Sequence, residues 1–387
     1  MTPPLTLRKL RALRTASQRL HRPPHRSVGD LVRALVGVQA QVLSSAELAL
    51  RARAEGLGRA QVTAAREGDR SVVWCWAMRG TMHLVASGDL PWLLPLFASF
   101  SHSSRRLKQL GVREDHLDPA VEQIERALRD DGPLPRRELA ARLHRRGIQT
   151  RGQAIAHLVH AAAIRGRICF GPLRGRDQTF VALADWLPGF ALRRPDAAEL
   201  ARRFLLAYGP AAPADLATWS GLGGPAAREA FGAVSGELVE LQGPGGEALW
   251  SLRSGKRGEA AEEAEHVARL LPSFDGFLLG YADRAFALAA GDAKKVNAGG
   301  GWLHPQLFVD GEIAGTWSSG AALKPFRPLP AKARAALEAD AAEVSAFSST
   351  PSSIPSSTPA STPTPSTPPR RPPRSGTRRR GSASPSR

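Results

Sequence analysis

The sequence predicts a mainly helical α+β chain: three tandem modules, each a set of helices closed by a β-hairpin, then a small β-rich element and a disordered tail. Three observations lead there. Helical periodicity punctuated by Gly and Pro gives the order helix, helix, helix, strand, strand in the middle of the chain. That order returns on either side of it, and from Ser345 onward almost no apolar residue remains. At 387 residues the chain exceeds one ordinary domain, so several packed modules are expected on length alone.

The first module is placed at residues 1–100. A helical rhythm covers residues 6–20, a second helix over residues 28–38 has Ser27 as its N-cap, and a third over residues 45–54 has Ser44 or Ser45 in that role. Apolar runs at 72–76 and 81–85 then flank Met78-Arg79-Gly80 as a hairpin.

The second module, residues 101–190, is the clearest. Helices over 119–129, 135–145 and 153–165 are separated by Gly132-Pro133 and Gly147. Short strands at 167–170 and 179–183 follow, with Arg174 and Arg176 at the tip between them. Three helices and a basic-tipped hairpin in that order make a winged helix, in which the third helix can enter a DNA groove while the hairpin touches the adjacent backbone.

In the third module, residues 191–255, helices at 197–207, 213–220 and 225–234 precede strands at 238–241 and 248–252, with Gly243 to Gly246 as the turn. A closing β-rich element is placed at 256–344, where Asp310-Gly311 between apolar strands is a two-residue hairpin signal. Ser, Thr, Pro and Arg dominate the tail, 345–387, a composition that buries too little surface to offset chain entropy. Three diverged copies in one chain suggest a monomer that wraps its DNA, because single-copy regulators read symmetric half-sites as dimers.

Composition narrows the partners. The formal charge is +18, and the tail contributes seven arginines and no acid to it, leaving an excess of eleven elsewhere. A polyanion is the matching partner, with nucleic acid first, since each neutralised phosphate releases condensed counterions. Apolar runs fall short of the ~20 residues of a membrane span, so a soluble, cytoplasmic, nucleoid-associated protein without membrane contact is expected. Cys75 and Cys169 lie far apart inside apolar runs and read as buried small hydrophobes, which disfavours a disulfide framework or a zinc site. No cofactor is expected.

Walker loops, His-Glu-x-x-His, Gly-x-Ser-x-Gly and dinucleotide fingerprints are all missing. What stands out is Val38-Gln39-Ala40-Gln41-Val42, placed at the end of the second helix of the first module. Taken alone, the two glutamines read first as polar residues at a helix end, binding stray carbonyls beside Gly37, and the motif by itself is too short to favour chemistry.

Four separated motifs in one order change the weighing. They are Gln39-Ala40-Gln41; Arg79-Gly80-Thr81-Met82-His83-Leu84-Val85; Leu271-Pro272-Ser273-Phe274-Asp275 with Leu279-Gly280-Tyr281-Ala282-Asp283-Arg284; and Gly300-Gly301-Trp302 through Val309-Asp310-Gly311 to Gly315-Thr316-Trp317. Over roughly residues 5–327 the chain resembles the winged-helix DNA glycosylases of the AlkZ type. The resemblance implies a C-shaped array of three winged helices, a catalytic Gln-x-Gln, and removal of bulky or crosslinked N-alkylated purines. The related YcaQ branch carries Gln-x-Asp, so Gln41 points to the AlkZ side.

That chemistry is physically coherent. Alkylation at purine N7 puts a positive charge on the base, which weakens the bond to the sugar and lets the base leave without general-acid protonation. Water must still reach C1′ of an oxocarbenium-like sugar, and two carboxamides can hold it through their carbonyl lone pairs. No lysine nucleophile is implied, hence no lyase step. A crosslinked base cannot be extruded singly, so an open site facing the groove suits it better than a closed flipping pocket. Gln39 and Gln41 are thus the expected catalytic pair, with Arg79, Thr81, His83, Arg174, Arg176 and Arg284 on the DNA-binding side. The expected partner is double-stranded DNA carrying alkylated or crosslinked purines.

For His83 a structural hydrogen bond inside a strand is the competing reading, and Asp275, Asp283 and Arg284 read as a buried polar network. The main rival for the whole protein is a non-enzymatic winged-helix transcription regulator, in which the glutamines are incidental. A third reading is a lesion-shielding protein descended from the glycosylases.

Overall fold

In the computed structural model, residues 3–100, 104–253, 266–299 and 301–350 are described. Shorter helical turns aside, the chain opens with α1 (Leu7–Ser17), whose first turn is capped by Thr6 accepting from the Lys9 amide, and α2 (Val28–Ala34), capped by Ser27 accepting from Asp30. The expected continuation of α2 to residue 38 does not occur. Val36 and Gly37 take left-handed conformations (φ 56° and 101°), which end the helix and turn the chain into strand β1 (Val38–Gln39). Next comes α3 (Leu43–Arg51), entered from the extended Val42 with no side-chain cap, so neither Ser44 nor Ser45 has the predicted role.

Strands β2 (Val72–Trp76) and β3 (Met82–Ala86) complete a three-stranded antiparallel sheet in the order β1-β3-β2, in which Gln39 lies opposite His83 and His83 opposite Cys75. The middle of the chain supplies α4 (Leu117–Asp131), β4 (Leu134–Pro135), α5 (Arg136–His144), α6 (Ala154–Ile164), β5 (Ile168–Phe170) and β6 (Thr179–Ala182). Ala120, Val121, Ile124 and Leu128 form the buried face of α4.

Nine of the eleven residues of α6 are buried, on every side of the helix. It packs among α4, α5 and β5 and against β2. The expectation that this third helix enters a DNA groove therefore fails: its composition, AIAHLVHAAAI, is apolar all round, and such a helix belongs in a core. An aromatic seam joins the two sheets beside it, with Trp74 stacked on Phe170 at 4.1 Å and Trp76 on Phe170 at 4.4 Å. Stacked pairs of this kind contribute ~0.5–1.5 kcal/mol each beyond the area they bury.

Helices α7 (Ala197–Tyr208), α8 (Pro213–Ser220) and α9 (Gly224–Ala233) lead into the hairpin β7 (Leu238–Gln242) and β8 (Ala248–Leu252). Gly221, left-handed at φ 83°, stops α8. The region after residue 266 forms β9 (Ala268–Leu271), the small hairpin β10 (Asn297–Gly299) and β11 (Trp302–Leu303), then β12 (Gln306–Val309), β13 (Glu312–Ser318) and β14 (Ala322–Pro325). Four of these make an antiparallel sheet in the order β14-β13-β12-β9. Asp310 and Gly311 do form its tight turn, both with positive φ, and a Cβ on Gly311 would press to 2.4 Å from that of Arg11.

Helix α10 (Ala331–Ser349) then packs on β9. It carries ordered structure past Ser345, where the tail was expected to begin, because Val344 and Phe347 are buried in its inner face. Asp340 in the same helix is buried and accepts from Arg22, Arg51 and the Leu270 amide. The remainder of the predicted tail, from residue 351, lies outside the described residues. No described helix is long and apolar enough to cross a membrane.

Candidate active site

The left-handed break at Val36 and Gly37 delivers the chain into β1, and strand alternation then sorts its side chains. Val38 and Ala40 point inward and are buried, while Gln39 is half-buried and Gln41 exposed. Pairing continues one residue past the strand, through the Ala40 amide to the Met82 carbonyl at 2.7 Å, and Trp74 Nε1 donates to the Ala40 carbonyl. Ala40 is thus pinned on both sides, between Gln39 at the end of β1 and Gln41, which stands just past the strand in a bend.

Gln39 lines a narrow cleft, with a volume of only about 20 Å³, together with Arg79, His83, Arg53, Tyr208, Trp219 and Phe274, while Gln41 stands outside that lining. Arg79 sits in the turn between β2 and β3 in a left-handed conformation (φ 54°, ψ 16°). Its guanidinium donates to Gln39 Oε1 at 2.5 Å and to the Trp219 carbonyl in the last turn of α8. Burial pulls its pKa below the usual arginine value, and the neighbouring Arg284 adds to that.

His83 is 2% exposed. Burial, reinforced by the Arg79 charge, drives its pKa down to about 3. Since a carbonyl can only accept, the 3.0 Å contact with the Thr81 carbonyl fixes the proton on Nδ1 and leaves Nε2 bare. The ring is therefore neutral near pH 7. The Thr81 hydroxyl donates to the Met78 carbonyl and closes the same turn.

Beneath the cleft lies a buried ion pair, Arg53 to Asp275, with two hydrogen bonds of 2.7 Å. Burial works against the Arg53 charge, but the Asp275 carboxylate outweighs it and leaves the pKa raised. Gln18 joins Arg53 to the Tyr281 hydroxyl, which donates to the Tyr208 carbonyl. Burial pushes the Tyr208 phenol up to about 12, so it too stays uncharged. No carboxylate and no lysine lines the cleft. Arg53 is neutralised by Asp275, so the cleft's net charge comes from Arg79, and any water held there meets the neutral Gln39 amide, a neutral imidazole and the Arg79 cation.

The sequence pattern that defines the family described as DNA glycosylase AlkZ-like matches residues 32–347, which takes in Gln39 and Gln41, the Arg79 turn, Asp275 and most of α10. The chain belongs to the AlkZ-like DNA glycosylase family. It is 31% identical over 331 residues to the interstrand DNA cross-link repair glycosylase of Streptomyces sahachiroi, covering 80% of this chain and 87% of that protein. Its fold is similar to the solved Streptomyces sahachiroi DNA glycosylase AlkZ, with a TM-score of 0.76 and 29% identity over 89% of this chain and 98% of the other.

Of the residues singled out in the sequence, the structure gathers Gln39, Arg79 and His83 at one cleft, although the hairpin turn between Arg79 and His83 gave no reason to expect a shared face. Arg284 is half-buried near Arg79. Arg174 and Arg176 stand elsewhere, at the β5–β6 turn. Arg174 is engaged by Glu138 at 2.9 Å and the Pro133 carbonyl at 2.5 Å, whereas Arg176 is exposed beside Arg136 and Arg137.

The expected network of Asp275, Asp283 and Arg284 is corrected. Asp275 pairs with Arg53, while Asp283 is exposed and caps the Ala285 amide. No hydrogen bond among the described residues joins the three. Arg53, Tyr208 and Trp219 escaped the sequence reading. Their only signal was a basic or aromatic residue inside an apolar helical run, which is common to many core helices.

Proposed function

We propose that this family member is a monofunctional glycosylase that hydrolyses the N-glycosidic bond of N7-alkylated purines in duplex DNA and unhooks interstrand crosslinks. In this reading it acts as a monomer, and its three helix-and-hairpin modules are winged helices. Gln39 and Gln41 hold the attacking water. The observation that carries the proposal is Gln39 lining a cleft in which, among the described residues, no carboxylate stands, with Gln41 exposed two positions on. A cationic base is already a good leaving group, so the protein's share of the work is to place water against C1′, and a carboxamide does that without titrating.

The name of the Streptomyces sahachiroi relative, an interstrand cross-link repair glycosylase, supports the crosslink part of the reading. Arg176 and Arg284 are the proposed phosphate contacts, with Arg174 and Thr81 supporting the turns that carry them. A sequence-specific regulator is poorly served by this fold, since α6 is enclosed and the β7–β8 turn, from Gly243 to Glu247, has no basic residue.

The test is incubation with duplexes carrying 7-methylguanine or a nitrogen-mustard crosslink, followed by detection of free base and intact abasic strands. Gln41→Ala and Gln39→Ala should each lower the single-turnover rate by about 10²-fold while duplex affinity stays within about threefold. The rate should be flat between pH 6 and 8, and borohydride should trap no covalent adduct, because no lysine lines the cleft. Base release that survives both alanine variants sinks the assignment.

A further inference from the structure

Arg79 is the one ionised group of the cleft that no carboxylate answers, and it was first read as a phosphate contact. Its surroundings argue for another task. Both of its contacts are to neutral carbonyl oxygens: Oε1 of Gln39 at 2.5 Å and the backbone oxygen of Trp219. Trp219 belongs to the last turn of α8, where carbonyls lack intrahelical partners and the helix dipole presents its negative end. The side chain is therefore tethered from one module to the glutamine of another.

The backbone is committed to this arrangement as well. Arg79 occupies the left-handed region, which is unfavourable for a non-glycine residue and persists only where the surroundings fix it. Across from it, Gly221 leaves room for the stem. A Cβ there would lie 3.1 Å from both Cα and Cγ of Arg79 and 2.7 Å from the Phe100 ring.

A free carboxamide has two nearly equivalent faces, oxygen and nitrogen, related by a half-turn. A fixed cationic donor removes that ambiguity, because only the oxygen can accept from it. One lone pair of Oε1 is taken by Arg79 and the other remains for water. An arginine used instead to stabilise the reaction electrostatically would be misplaced, since the positive charge of the alkylated base passes to the sugar as the bond breaks and another cation nearby opposes it.

From this geometry we infer that Arg79 is a positioning residue, which fixes the orientation of the Gln39 amide and thereby the water it holds. The inference rests on the proposed role of Gln39, and the test separates the two. Single-turnover base release, duplex affinity and its salt dependence are measured for wild type, Arg79→Met, Arg79→Lys, Gln39→Ala and the double variant Arg79→Met/Gln39→Ala. Methionine keeps the aliphatic stem against Gly221 and Phe100, and thermal melting checks that each variant is folded.

Arg79→Met should slow base release by about 10- to 100-fold, with affinity within about twofold and an unchanged salt slope. Lysine, a point charge without the planar fork, should restore less than about a tenth of the lost rate. In the Gln39→Ala background the Arg79→Met change should cost less than about twofold, because the amide it orients is gone. Equal losses in both backgrounds overturn the inference while leaving the role of Gln39 intact. Weakened binding with the salt slope reduced by about one makes Arg79 a phosphate contact and overturns it too. Full activity of Gln39→Ala alone overturns both this inference and the reading beneath it.

Discussion

His83 is held neutral by burial, and the cost of that appears in acid. Its folded pKa of about 3 lies below the ~6.5 of an exposed histidine, so between those values the unfolded chain binds a proton that the folded chain refuses. Stability from this group is whole above about pH 6.5 and is lost as the pH falls towards 3. His83→Gln should therefore flatten the dependence of Tm on pH between 6.5 and 4.5. Some slope must remain, because burial also lowers His157 and His160. An unchanged slope would show that another group dominates acid unfolding. At this scale the amides and the histidine were legible in the sequence, but their support was not. Arg53 and Asp275 are 222 positions apart, and nothing local in either stretch announces the other.

Among the elements, β1 matters most and was the least legible. Two residues of strand are too short for a periodic signal, and the left-handed Val36 that ends α2 is a residue type that rarely adopts that region. Gly37 was the visible clue. At φ 101° it tolerates no side chain without strain, and a Cβ would meet the Leu84 carbonyl and the Met78 methyl at 3.1 Å. Gly37→Ala should lower stability by ~1–3 kcal/mol and slow base release beyond what the melt predicts, because the strand that carries Gln39 and leads into Gln41 shifts. Equal activity per folded molecule would mean that β1 is not the positioning element. Helix α6 teaches the opposite lesson. Its run of Ala, Ile, Leu and Val on every face was readable as a core helix, and the module pattern around it drew attention to the wrong property.

At the scale of the whole molecule, the order of helices and hairpins was legible because Gly and Pro mark the ends of many elements. The end of the fold was not, since α10 enters a Ser-rich stretch whose composition matches the tail beyond it. What holds α10 is Asp340, closed in by Arg22 and Arg51, and breaking such a buried pair costs about 3–5 kcal/mol. A chain ended after residue 350 should melt as one cooperative unit. A chain ended after residue 330 should fail to fold or should aggregate, having stripped the cover from Ala268, Leu270 and Leu307. Matching melts for the two truncations would show that α10 is dispensable.

The enclosure of α6 also bears on how this architecture could be re-engineered. A helix wedged between two sheets, with Trp76 against one of its histidines, has no residues to spare for reading an edge of a base. Attempts to aim such an enzyme at a chosen target by swapping letters in that helix would dismantle the scaffold before altering its preference. Addressing it to one locus would call for a separately folded guide fused at a surface.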